Sequence, residues 1–144
     1  MPGVGELQIG EFLAALGERT PAPASGAAAA LTGAFAAALV ELAARFAEDD
    51  AAIARARALV RRLTQLADED AAAYEAFLAT GGEEARRRTI DVPGEIAANA
   101  DEVERLAVEV GDQLTSSVVG DAEAAGELAR VAARVARRLA ELNA

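Results

Sequence analysis

The sequence predicts an all-α protein: a bundle of about five helices around a buried alanine-rich central helix, dimeric through its long apolar helices. Three observations support this. Alanine makes up more than a quarter of the 144 residues and aromatics only 3%, which suits closely packed helices and leaves sheets short of β-branched and aromatic side chains. Apolar residues recur at steps of three and four over long stretches, the period of one helix face. Pro21, Pro23 and the pair Gly81-Gly82 fall between those stretches, where helices are expected to stop. The length supplies one hydrophobic core and not two, so residues 1–144 are read as a single domain.

Gln8 to Glu18 reads as a short amphipathic helix with Ile9, Phe12, Leu13 and Leu16 on one face. A loop from Thr20 to Ala24 follows, because proline fixes its own φ and drives the preceding residue toward extended backbone. Ser25 is the expected N-cap of the central helix, which carries no charge before Glu41 and runs to about Glu48. A helix apolar on every side is buried, in protein or in lipid. Its uncharged part, Ser25 to Val40, rises about 24 Å, short of a ~30 Å hydrocarbon core. Glu41, Arg45 and Glu48 follow directly, so a protein interior is expected, with Gly26, Ala30, Gly33 and Ala37 allowing neighbouring backbones close. Asp49 or Asp50 caps a third helix from Ala51 to about Thr80, and Gly81-Gly82 ends it. A fourth helical stretch begins near Glu83, with Pro93-Gly94 interrupting or restarting it. Thr115 to Gly120 is a loop, and Asp121 or Gly120 opens the last helix, which runs to about Leu142. That helix has one stripe of Leu128, Val131, Val135, Leu139 and Leu142 beside a second of alanines, a pattern expected to pack on more than one partner.

Several functions are excluded by composition. A net charge of −10 argues against nucleic acid as a partner, since neutralising phosphates needs a basic surface. With no His, Cys or Lys, the chain lacks Ser-His-Asp and Cys-His catalysis, thiolate or imidazole metal sites and lysine Schiff bases. Neither an EF-hand loop nor a Glu-x-x-His pair is present, so no metal is expected. Proton transfer is left to Asp, Glu, Tyr74 or ordered water. No basic, signal-like segment precedes the apolar stretch, so the expected location is cytoplasmic.

On the third helix a seam runs through Ile53, Ala56, Val60, Leu63, Ala67, Asp70, Tyr74 and Phe77, placing Asp70 and Tyr74 at positions the pattern reserves for core. An unpaired carboxylate in an apolar core is too costly to persist, so Asp70 is expected to face a cavity, a hydrogen-bonding loop or a subunit interface, or to cap another helix. Asp68 and Glu69 fall off the seam and read as solvated charges. Asp121, at a helix start, fits an N-cap. Arg86, with Arg87 and Arg88, is either an anion contact or part of a solvated face. The loop from Pro21 to Gly26 could offer backbone N–H groups to an anion at the helix start.

The order of these pieces resembles the cyclodeaminase/cyclohydrolase family: the cyclodeaminase domain of formiminotransferase-cyclodeaminase and the related bacterial methenyltetrahydrofolate cyclohydrolases. The resemblance rests on Glu11-Phe12-Leu13, then the loop Pro21-Ala22-Pro23-Ala24-Ser25-Gly26-Ala27 and its alanine-rich helix. It continues in Leu66-Ala67-Asp68-Glu69-Asp70-Ala71-Ala72-Ala73-Tyr74, Val92-Pro93, Gly120-Asp121 and Asn143. Where the family loop has glycines, this chain has Ala24 and Ser25, and Ala24 would cost on the order of 1 kcal/mol if positive φ were needed there. The resemblance implies an all-helical homodimer or higher oligomer acting on formimino- or methenyltetrahydrofolate as substrate, with no tightly bound cofactor and no metal. It implies Asp70 and Asp121 as proton-transfer and iminium-facing groups and Tyr74 as a hydrogen-bonding partner. Ligand contacts would come from Pro21, Pro23, Ser25, Gly26 and Arg86. Two alternatives stay open: the same fold turned to another cyclisation, hydrolysis or elimination, and a non-catalytic helical oligomer that only binds a ligand.

Overall fold

The computed structural model describes residues 2–144 and is all-helical among them: a 3-10 turn at Val4–Glu6, then α1 (Ile9–Gly17), α2 (Ser25–Phe46), α3 (Asp50–Thr80), α4 (Glu83–Gly111) and α5 (Val119–Asn143). α2 packs against α3, α4 and α5, while α3 also packs on α4 and α4 on α5. Its contact positions are small: Gly26, Ala27, Ala29, Ala30, Gly33, Ala34, Ala36, Ala37, Val40, Ala43 and Ala44 are all buried. Side chains of that size let helix axes approach at the short end of the usual 8–10 Å spacing. By length and composition α2 could cross a membrane, since it runs past Val40 to Phe46, but more than half of its most apolar window is buried against the other helices. One face is left open, with Phe35 and Phe46 more than half exposed and Leu42 beside them.

The helix ends follow local chemistry with two corrections. Asp49 caps α3, its side chain accepting from Ala52 N at 3.1 Å and from Gln113 Nε2 at 3.0 Å, and Gly81 closes α3 at φ 65°, a left-handed conformation that glycine adopts without penalty. α2 is capped at Ala24 with no side-chain hydrogen bond, so Ser25 is the first helical residue and not the N-cap. α5 starts at Val119, before both expected openings at Gly120 and Asp121, which puts Asp121 inside its first turn and not at the cap. Pro93 neither interrupts nor restarts α4, which continues through it.

Burial also departs from the expected stripes. On α5 the alanines Ala122, Ala125, Ala129, Ala132, Ala133 and Ala136 are buried, whereas Leu128, Val131, Val135 and Leu142 are exposed. The close contact with α2 and α4 admits methyl groups and turns the larger side chains outward. On α3 the core side is Ala52, Ala56, Leu59, Leu63, Leu66, Ala67 and Ala73; a straight helix drifts about 20° per heptad from a strict 3.5 repeat, and Tyr74 ends up partly exposed. α1 buries only Phe12, leaving Ile9 and Leu13 in solvent beside an apolar groove of about 470 Å³ formed with α2 and α3. Asp68 is not a free surface charge: its Oδ1 accepts from Val4 N at 2.6 Å and ties the 3-10 turn to α3. Glu69 pairs with Arg62 at 3.1 Å, and Arg62 also reaches Glu95 on α4 at 2.7 Å.

Candidate functional site

A cavity of about 250 Å³ lies where the loop before α2, the middle of α3, the first half of α4 and the end of α5 meet. Pro21, Ala22, Ala24, Ser25 and Gly26 form one wall, Asp70 and Tyr74 a second, Thr89 and Pro93 a third, and Leu139 and Asn143 the last. The loop arrives with a cis Ala22–Pro23 peptide and delivers the start of α2 to the cavity. Because Ala24 caps without a side chain, no side-chain acceptor satisfies the first N–H groups of α2, and the positive end of the helix dipole is left at this wall. Ala24 itself has φ −144°, extended backbone open to any residue, so alanine in place of a glycine costs nothing there. The glycine that matters is Gly26: a Cβ added to it would overlap the Asp70 carboxyl group. Close approach between α2 and α3, and not backbone conformation, requires glycine at this position.

Asp70 therefore lies against the first turn of α2 in a half-buried site. Among the described residues no hydrogen bond or ion pair reaches its carboxyl group. Burial pushes the Asp70 carboxyl above the usual carboxylate range, with no cation nearby to oppose the shift. A carboxyl group whose burial favours its protonated form, yet open to a cavity, can exchange a proton with a bound molecule. Tyr74, one helical turn along the same face, lines the same space and is partly exposed.

The fourth wall has its own logic. Pro93 is buried inside α4 and has no N–H to give to the carbonyl of Thr89, four residues back. That orphaned oxygen accepts instead from Asn143 Nδ2 at 2.8 Å, which stitches the end of α5 to α4 at the rim. The hydroxyl of Thr89 donates to Arg86 O at 2.6 Å and is thus turned back into its own helix.

Of the residues singled out in the sequence, Asp70, Tyr74, Pro21, Ser25 and Gly26 are brought together, and Pro23, half-buried within the same loop, is not on the wall. Arg86 is not on the wall either; its guanidinium pairs with Glu83 at 3.5 Å on the exposed side of α4. Asp121 lies near the opposite end of α5, about 27 Å along the helix from Leu139 at 1.5 Å per residue. Within one chain it cannot share the cavity with Asp70. Thr89, Pro93 and Leu139 were not expected as wall residues, and Asn143 entered only through the family resemblance. The Pro93 signal was present, because a proline inside a helix always frees the carbonyl four residues earlier. Among the described residues no group of three or more Asp or Glu could hold a metal ion.

Comparison with known proteins adds the family context. A family model described as formiminotransferase-cyclodeaminase matches residues 8–144. Among curated proteins none matches the chain significantly. The fold is similar to the crystal structure of formiminotetrahydrofolate cyclodeaminase from Thermotoga maritima, with a TM-score of 0.92 at 20% sequence identity, over 97% of this chain and 79% of that one.

Proposed function

Since the chain belongs to the formiminotransferase-cyclodeaminase family, we propose that it acts on a folate one-carbon derivative, formimino- or methenyltetrahydrofolate, with Asp70 as the proton-transfer group. The single observation that supports this most is the Asp70 carboxyl, without a partner among the described residues, lining a cavity at the start of α2. In the cyclodeaminase direction the formimino group enters protonated, as an amidinium, and one folate nitrogen attacks its carbon while that nitrogen's own proton passes to the Asp70 carboxylate. The same proton then moves to the departing amino group, the carbon–nitrogen bond breaks, and ammonia leaves behind a methenyl bridge. That bridge is cationic, and the regenerated carboxylate stabilises it electrostatically. The hydrolase direction adds water to the same carbon and opens one carbon–nitrogen bond. Neither direction needs a nucleophilic side chain or a metal, which suits a chain without His, Cys or Lys. Tyr74, which lines the same cavity, would hydrogen-bond the substrate or hold a water beside Asp70.

At about 250 Å³ the cavity falls below the 300 Å³ or so at the small end of ligand pockets, so a folate would occupy it with one end only. We infer that a homodimer covers the remainder. The exposed apolar stripe of α2 (Phe35, Leu42, Phe46) and that of α5 (Leu128, Val131, Val135) belong to two helices that pack side by side. Asp121 could join the chemistry only from a second copy. The small volume also favours a second reading, the same acid–base chemistry on a smaller imine or amide. The deciding measurement follows the visible-to-near-UV absorbance of methenyltetrahydrofolate, lost in hydrolysis and gained from the formimino compound. Turnover above buffer that disappears in Asp70→Asn supports the folate reading. Tight folate binding without turnover identifies a binding protein, and neither binding nor turnover by folded protein leaves the smaller substrate.

A further inference from the structure

We propose that Asn143 is a substrate-positioning acceptor of this cavity, locked into place by the proline at position 93. The inference rests on the folate reading above and deepens it. Pro93 leaves the Thr89 carbonyl without its helical donor, and Asn143 Nδ2 supplies one at 2.8 Å. Because a carbonyl can only accept, this contact decides which way round the amide sits. The other end, Oδ1, makes no hydrogen bond among the described residues and is not sealed from solvent, and Asn143 forms part of the cavity wall. Asn143 thus offers a fixed, neutral acceptor at the cavity that Asp70 also lines. Such a group recognises an N–H donor on the ligand without adding a second negative charge near Asp70. Reduced folates carry several such donors, and a ligand gripped by that N–H would be held while Asp70 handles the reacting nitrogen.

Asn143 is the last residue of α5, and its side chain is half-buried and bonded across to α4.

The test measures tetrahydrofolate affinity by titration calorimetry and thermal midpoints for wild type, Asn143→Ala, Asn143→Asp, Pro93→Ala and the Pro93→Ala/Asn143→Ala pair. Losing one ligand hydrogen bond should weaken binding about 10-fold in Asn143→Ala, and more in Asn143→Asp, where a second carboxylate is added. In turnover KM should rise by a similar factor, with a smaller change in kcat. Pro93→Ala returns an N–H to the Thr89 carbonyl and competes Asn143 away, so it should weaken binding more in the wild-type background than in the Asn143→Ala background. Equal losses in both backgrounds would overturn the link to Pro93, and wild-type affinity in both Asn143 variants would overturn the role of Asn143 while leaving the folate reading intact. Should wild type itself fail to bind tetrahydrofolate, both readings fall together.

Discussion

Asp70 shows how a single residue can work against the fold that holds it. Its carboxyl is pushed up by burial, so the native chain binds that proton more tightly than the unfolded chain does. The stability gained from the raised value is complete below the unfolded carboxylate pKa and is lost as pH rises through the native one. At neutral pH the ionised group is therefore a cost. Asp70→Asn keeps the shape and cannot ionise. It should melt at a higher temperature than wild type near neutral pH, with the gap closing as pH falls toward about 4, the ordinary Asp value. The same variant should lose roughly 10²–10⁴-fold in turnover, the usual contribution of a positioned acid or base. Melting curves across pH, read beside the rate, check both; a variant no more stable than wild type at neutral pH would mean the carboxyl is not disfavoured. The sequence disclosed this residue because an acid on a seam of apolar positions is conspicuous. It did not disclose Gly26 as the neighbour that makes room, since that depends on how close α2 and α3 come.

At the scale of elements, helix ends were legible where a residue type has one dominant use and misread where several would serve. Gly81 ends α3 with a left-handed turn, as paired glycines suggested. It has open space around it, so the cost of replacing it is conformational alone. Gly81→Ala should therefore destabilise the protein by about 1 kcal/mol, with Gly81→Asn losing less because asparagine tolerates that region. Urea unfolding of the two variants measures the difference, and equal midpoints would contradict it. Ser25 and Asp121, both good N-cap residues, are not caps, because the chain enters α2 from Ala24 and α5 from Val118. Capping preference names the candidates, and the path of the preceding loop chooses among them. Pro93 was read as a break, but a proline can stay inside a helix when another group satisfies the carbonyl it strands, and Asn143 does so from 54 residues away in sequence.

For the whole molecule the open matter is what covers the apolar faces. α1, α2 and α5 leave Ile9, Leu13, Phe35, Phe46, Val131 and Leu142 exposed, more large apolar side chains than scattered surface positions usually present. The pairs that tie helices together at the surface, such as Arg55 with Glu102, Arg130 with Glu104 and Arg137 with Asp101, are solvent-exposed and contribute little. Burial of a second copy on the α2 and α5 stripes is the expected remedy. Phe35→Glu combined with Phe46→Glu should then shift the protein from dimer to monomer in sedimentation while each chain stays helical. A wild-type monomer at micromolar concentration would remove the proposed interface.

The helical class, the order and lengths of the five helices, and the isolation of one acid among apolar positions were written in local chemistry: alanine content, three-and-four spacing, and prolines and glycines as punctuation. These are short-range properties, and neighbouring residues settle them. Which stripe of α5 turns inward, why Asp121 and Arg86 stand apart from Asp70, and how Asn143 meets Thr89 came from the packing. Each depends on the distance between helix axes and on which end of one helix meets the middle of another, and those are set by the sum of all contacts in the core.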